Sequence, residues 1–227
     1  MGDMKNILII SCGPGLKDVR DEYGHAIEWI QSKADKGKYN FTSMDAYKGQ
    51  IPSYPDADAW ILTGSSFSTY EDREWIVELE HAIKQAVSVE KPLLGICFGH
   101  QLIAQSLGGK VEKNPKGWEL GSYPMIKTIK HHLFNEIELD DYFYNSHQDI
   151  VTQLPNGSKS LAYNKMGNQA FQYGQWAYGV QFHPEFSFEI MKKYVEARID
   201  MGADVVNPMV EKSKNSHLII NNFLKIV

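Results

Sequence analysis

A cysteine, a histidine and a glutamate are the residues whose types and spacing could do chemistry. Cys97 stands in Leu93-Leu94-Gly95-Ile96-Cys97-Phe98-Gly99-His100-Gln101, an apolar run that enters G-x-C-x-G and leaves through the helix-forming LIAQSL. This pattern predicts a nucleophile elbow, a strand-to-helix turn that lifts one side chain above a sheet. The positive end of the following helix faces the sulfur and favours the thiolate, the form that attacks. The alternative is a core cysteine between packing glycines, because free cysteines are commonly buried.

A thiol nucleophile needs a base that accepts its proton near neutrality. Gly179-Val180-Gln181-Phe182-His183-Pro184-Glu185 offers a histidine at the end of an apolar run and a carboxylate two residues later. The two-residue period of a strand predicts that His183 and Glu185 share a face, where the carboxylate fixes the imidazole tautomer and stabilises its charged form. An isolated HPE tripeptide reads as well as a surface turn with a solvated glutamate. A metal site on His100, His147 and His183 has no familiar ligand spacing, so neither a metal nor a cofactor is expected.

These residues need a scaffold to hold them. Asn6 to Ser11, Asn40 to Met44, Ala59 to Thr63 and Pro92 to Ile96 read as short strands, the first and last ones apolar. Between them, Glu22 to Lys36 and Glu71 to Val89 have helical character, the second with apolar residues at Trp75, Ile76, Leu79, Ile83 and Ala86 and with Asp72 as an anionic cap. Gln101 to Leu107 forms a further helix that ends at Gly108-Gly109. From Lys110 to Gln181 short alternating runs predict strands, and helices return near Phe188 to Met201 and Ser216 to Ile226. The expected fold class is therefore α/β, with a mostly parallel central sheet, helices on both faces and a strand-rich second half. At 227 residues, one domain over 1–227 is expected, with a C-terminal helix at about 215–227 appended.

Composition narrows the partners. The 23 basic and 28 acidic residues give a net charge of -5 without a long block of either sign, which argues against nucleic acid or a membrane surface. The apolar run near the N-terminus is too short for a signal peptide, and no stretch suits a membrane span. Cys12 and Cys97 are the only cysteines, too few for a disulfide framework, so a cytoplasmic setting is expected.

Taken together, LLGICFGHQ, the downstream VQFHPE and the upstream ILTGS resemble the class I, triad-type glutamine amidotransferases, and in particular a stand-alone version of the glutaminase part of GMP synthase. The resemblance runs from the first strand to the HPE segment and implies a flavodoxin-like sheet. It implies Cys97 as nucleophile, His183 as general base and Glu185 as its orienter, acting on the side-chain amide of glutamine through a γ-glutamyl thioester. It places the oxyanion hole at the backbone N–H groups of Gly64 and Phe98, and the glutamine contacts at Gln101, Ser146 and His147. Glu119, in Gly117-Trp118-Glu119-Leu120-Gly121, reads either as a contact to the substrate amine or as the start of a strand.

The chain carries no G-x-x-x-x-G-K-[ST] loop with which to activate an acceptor. The resemblance therefore implies an ammonia-accepting synthetase subunit as partner, or a stand-alone hydrolase or peptidase acting on γ-glutamyl compounds. The loop Gly64 to Tyr70 lacks the proline-containing turn of many guanylate-synthesis glutaminases, which leaves the acceptor open. An acyltransferase on the same elbow and a non-catalytic binding module of the same fold are the remaining alternatives.

Overall fold

The computed structural model describes residues 4–127, 129–138, 140–205 and 208–227. In its first half the chain runs β1 (Lys5–Ser11), α1 (Lys17–Tyr23), α2 (Ala26–Lys33), β2 (Tyr39–Asp45), β3 (Ala59–Leu62), α3 (Glu74–Ser88), β4 (Leu93–Ile96) and α4 (Phe98–Ser106). The second half continues through β5 (Lys110–Lys113), β6 (Glu119–Tyr123), β7 (Ile126–Lys127), β8 (Phe143–His147), β9 (Asp149–Gln153), β10 (Lys159–Asn164), β11 (Gly167–Tyr173) and β12 (Ala177–Val180). It ends in α5 (Phe188–Asp200) and α6 (Leu218–Leu224).

Eight strands form the central sheet in the order β2-β1-β3-β4-β12-β11-β10-β7. The pairings from β2 through β12 are parallel, and those from β12 outward to β7 are antiparallel. Two antiparallel pairs, β5 with β9 and β6 with β8, stand apart from it. The apolar runs that predict strands are apolar on both sides because both faces of the sheet are covered. Ile7 and Ile9 of β1 enter one core with Ile30 of α2 and Ile219 and Phe223 of α6, whereas Leu8 and Ile10 enter the other with Leu79 and Ile83 of α3 and Leu102 of α4. The alternation of β1 thus assigns α2 and α6 to one face and α3 and α4 to the other.

The helices depart from the sequence reading at their ends. The stretch Glu22 to Lys36 takes in only the last two residues of α1, which begins at Lys17 and closes where Gly24 takes φ 80°, and then the whole of α2. Asp72 does not cap α3, whose N-cap position is Arg73 with no side-chain cap. Helix α4 begins at Phe98, immediately after Cys97, and not three residues later. Helix α6 is tied in by two buried asparagines. Asn221 Nδ2 donates to Lys33 O (2.6 Å), and Asn222 Nδ2 donates to Leu133 O (3.1 Å) and Asn135 O (2.8 Å). These bonds satisfy carbonyls at the end of α2 and in the 3-10 turn His132–Phe134 that would otherwise lie unpaired beside the core.

Among the described residues, no helix is long and apolar enough to cross a membrane.

Candidate active site

The parallel arrangement brings the C-terminal ends of β4 and β12 side by side, with Val180 in register with Ile96. Cys97 follows β4 directly, and its N–H donates to Val180 O at 2.9 Å, which locks the turn onto the neighbouring strand. Its backbone takes φ 52° and ψ -102°, a sparsely populated region for a residue with a side chain, at a cost of roughly 1–3 kcal/mol. The strain falls on the cysteine itself and not on its glycines, which serve close approach. A β-carbon on Gly95 would come within 2.3 Å of the Gly99 backbone, and one on Gly99 within 2.7 Å of Leu62. The first turn of α4 can sit against the sheet only because both side chains are absent.

His183 lies beyond the end of β12, and here the structure corrects the strand-period argument. The strand stops at Val180, and His183 and Glu185 occupy the turn that follows. His183 is held from below by its N–H, which donates to Tyr144 O of β8 (2.8 Å). Its ring stacks on Phe186 at 4.1 Å between centroids and 13° between planes, with Tyr194 and Trp29 packed behind Phe186. Nδ1 of His183 lies 2.7 Å from Glu185 Oε1, both side chains being buried. The surface-turn reading of HPE is thereby excluded.

Gly64, after β3, closes the third side. A β-carbon built on it would lie 2.9 Å from His183 Cε1 and 3.5 Å from Cys97 Cβ, so the imidazole and the thiol flank the same piece of backbone. Electrostatics express this proximity. Burial lowers the pKa of His183, but the Glu185 carboxylate, the charge of Cys97 and hydrogen bonds to both outweigh it and push the imidazole up to about 10. Cys12, the other thiol, behaves as a core residue: burial pushes it up to about 12, against smaller opposing effects from the Thr63 hydrogen bonds. Neither Gly64 N–H nor Phe98 N–H has a hydrogen-bond partner among the described residues.

A cleft of about 120 Å³ opens over Cys97, lined by Gln101, Ser146, His147, Trp118 and Arg198 among others. A smaller chamber of about 30 Å³ adjoins it on the His183 side, lined by Gly64, Glu185, Tyr194 and again Ser146 and Arg198. Cys97, Gln101, Ser146 and His147 border the cleft and Gly64, His183 and Glu185 the chamber, so these residues gather at this one end of the sheet. Gln101 is buried, and its Nε2 donates to Asp149 O (2.9 Å) and Gln181 Oε1 (3.0 Å), so it is no exposed helix residue. Ser146 Oγ is buried without a partner. His147 Nδ1 lies 3.1 Å from Asp149 O, and its Nε2 lies 3.1 Å from Glu119 Oε2, within ion-pair distance but without hydrogen-bond alignment.

Glu119 begins β6, and its two oxygens accept from Asn164 (2.5 Å) and Gln169 (2.9 Å). Its contact with His147 belongs to this buried network, and Glu119 borders neither the cleft nor the chamber, which favours its role as the start of a strand. Among the described residues no group of three or more His, Cys, Asp or Glu side chains is arranged to hold a metal ion. His100 is packed edge-on against Phe171, with both ring nitrogens unpartnered, and burial lowers it to about 3.

Arg198 and Tyr194 line the site without having been singled out in the sequence. Their signal is present on α5, where Ile190, Met191, Tyr194, Val195 and Arg198 recur at helical spacing on the buried face. An arginine in that series marks a cation turned inward.

The family model of the class I glutamine amidotransferases matches residues 18–199. The chain belongs to this family. Among its relatives, gamma-glutamyl peptidase 4 of Arabidopsis thaliana is 29% identical over 225 residues, which span 94% of this chain and 88% of that protein. A GMP synthase of Pyrobaculum aerophilum is 38% identical over 133 residues, 59% of this chain and 25% of that longer protein. The crystal structure of a glutamine amidotransferase from Thermotoga maritima superposes with a TM-score of 0.74 at 23% identity, over 99% of this chain and 98% of that one. This likeness concerns the fold, which is the flavodoxin-like α/β arrangement expected of a class I amidotransferase.

Proposed function

We propose that this class I amidotransferase domain hydrolyses the γ-glutamyl amide bond, with Cys97 as nucleophile, His183 as acid and base, and Glu185 as the group that orients and charges His183. The observation that carries this reading is the pairing of His183 Nδ1 with Glu185 at 2.7 Å, against a wall shared with Cys97. With Nδ1 occupied, Nε2 is the ring nitrogen left for the sulfur.

In the first half-reaction the Cys97 thiolate adds to the γ-carbonyl carbon, and the oxygen takes up the electron pair of the carbonyl. The free N–H groups of Gly64 and Phe98 serve as its donors. As the tetrahedral species collapses, the C–N bond breaks and His183 passes a proton to the departing nitrogen, leaving a γ-glutamyl thioester. Water then adds to the thioester while His183 takes its proton. The C–S bond breaks, glutamate leaves, and the thiolate–imidazolium pair is restored. Gln101, Ser146 and His147 bind the glutamyl group.

The leaving nitrogen distinguishes two uses of this chemistry. The match to a gamma-glutamyl peptidase along most of both chains supports a peptide or amine as leaving group. Identity to a quarter of a glutamine-hydrolysing GMP synthase supports ammonia, passed to a synthetase partner, as the second reading. A reducing, cytoplasmic compartment suits the two free thiols. Turnover of γ-glutamyl dipeptides and of glutamine, each with mass-spectrometric trapping of a γ-glutamyl adduct on Cys97, tests the proposal. Preferential cleavage of dipeptides favours the peptidase reading, and release of ammonia from glutamine that accelerates with a partner favours the other. Absence of any adduct or product from either compound class refutes both.

A further inference from the structure

Among the described residues, Arg198 is the only lysine or arginine that is buried. Its guanidinium stands 5.2 Å from the centre of the Trp118 ring, and Nη2 donates to Ser66 Oγ at 3.2 Å. Nε has no acceptor, and no described carboxylate pairs with the group. Asp149, the acidic side chain lining the same cleft, is already taken by Ser68 Oγ (2.5 Å) and Tyr70 Oη (3.0 Å). A guanidinium offers five donors in a planar fork; here a single hydroxyl answers them, in a place where leaving a charge unpaired is unfavourable.

The position of the group says what would answer the rest. Arg198 lines both the cleft over Cys97 and the chamber beside His183, so it borders the path of a substrate on either side of the attacked bond. We propose that Arg198 binds a carboxylate of the substrate. This rests on the reading of Cys97 as a nucleophile toward γ-glutamyl compounds. Two carboxylates fit: the α-carboxylate of the glutamyl group, common to every such compound, and the carboxylate of a departing amino acid, which only γ-glutamyl peptides carry.

The test compares wild type with Arg198→Gln and Arg198→Lys in two assays. In the first, Cys97 is alkylated with iodoacetate and with iodoacetamide, reagents that differ by one negative charge. Loss of the cation should lower the iodoacetate-to-iodoacetamide rate ratio about tenfold in Arg198→Gln, with the iodoacetamide rate within about twofold of wild type. That neutral rate also reports an intact, folded site. Arg198→Lys keeps the charge and should keep most of the ratio; because it lacks the fork, it should still raise KM severalfold, and it serves in place of Arg198→Gln if the latter does not fold.

In the second assay, kcat and KM are measured for γ-glutamylglycine, γ-glutamylethylamide and glutamine. A KM increase of about tenfold confined to γ-glutamylglycine identifies the departing carboxylate as the ligand, and an equal increase for all three identifies the α-carboxylate. Unchanged KM values overturn the proposal whatever the alkylation ratio does. A fall in the iodoacetamide rate with a shifted pH profile overturns it too, because Arg198 would then act on the thiolate. A wild-type protein that shows the alkylation preference yet turns over none of the three compounds refutes the hydrolase reading and, with it, the assignment of the anion to a substrate.

Discussion

The turn at Cys97 and the turn at His183 face each other across one cleft and are built on opposite plans. At Cys97 the main chain does the positioning: a strained φ of 52°, a hydrogen bond to Val180 O, and two glycines that admit the helix. At His183 side chains position the ring, through the Phe186 stack and the Glu185 carboxylate. The nucleophile is thus aimed by geometry that hardly depends on its own side chain, whereas the base depends on neighbours that can be removed one at a time. Substitutions should separate the two plans.

Replacing Cys97 carries the largest expected effect. Cys97→Ala should lower turnover of any γ-glutamyl substrate by roughly five to six orders of magnitude and leave the fold intact. Cys97→Gly should be equally inactive yet as stable as Cys97→Ala or more so, by about 1 kcal/mol, because glycine tolerates the positive φ. Steady-state kinetics and chemical denaturation of both variants check this pair. A glycine variant clearly less stable than the alanine variant would mean that the main chain stores no strain there.

Glu185→Gln comes next. It should cost about 10²–10⁴ in kcat, because the amide still fills the space but no longer favours the charged ring. Since Glu185 is a principal cause of the raised His183 pKa, the alkaline limit of activity should also move to lower pH in this variant. A pH–rate profile in which the alkaline limb stays in place would break the assignment of Glu185 as the charging group.

The smallest effect concerns stability. His183 has a pKa of about 10 in the folded protein, against about 6.5 for an unfolded histidine. The folded state therefore holds the proton more tightly, and this contribution is present in full below about pH 6.5 and lost as pH rises through about 10. Denaturant titrations across that window should show wild type losing more stability with rising pH than Cys97→Ala or Glu185→Gln does. Equal slopes would sever the charge coupling between the two turns.

The sequence exposes these two plans unequally. Elbow, flanking strands and parallel first half are legible because they rest on local pattern: G-x-C-x-G after an apolar run, and β-branched runs separated by helical periods. The identities of His183 and Glu185 are legible too, but the way they meet is not, since β12 ends at Val180 and the turn is held by Tyr144 and Phe186 from elsewhere in the chain. The break between α1 and α2 turns on one glycine in an otherwise helical stretch. Glu119 could not be placed from its neighbours, because Asn164 and Gln169 decide its environment. Arg198 is legible in principle, because the inward face of α5 that Ile190, Met191, Tyr194 and Val195 mark continues to it in the last turn.

Helix α6 completes the face of the sheet that opens with Ile7 and Ile9. During synthesis, β1 therefore emerges long before one of the elements that cover it. Until residues 218–224 have emerged, that face has α2 over it but lacks α6, whereas the opposite face already holds both α3 and α4. Part of that face thus stays uncovered until α6 docks, and the asparagine ties to Lys33, Leu133 and Asn135 act as the closing latch.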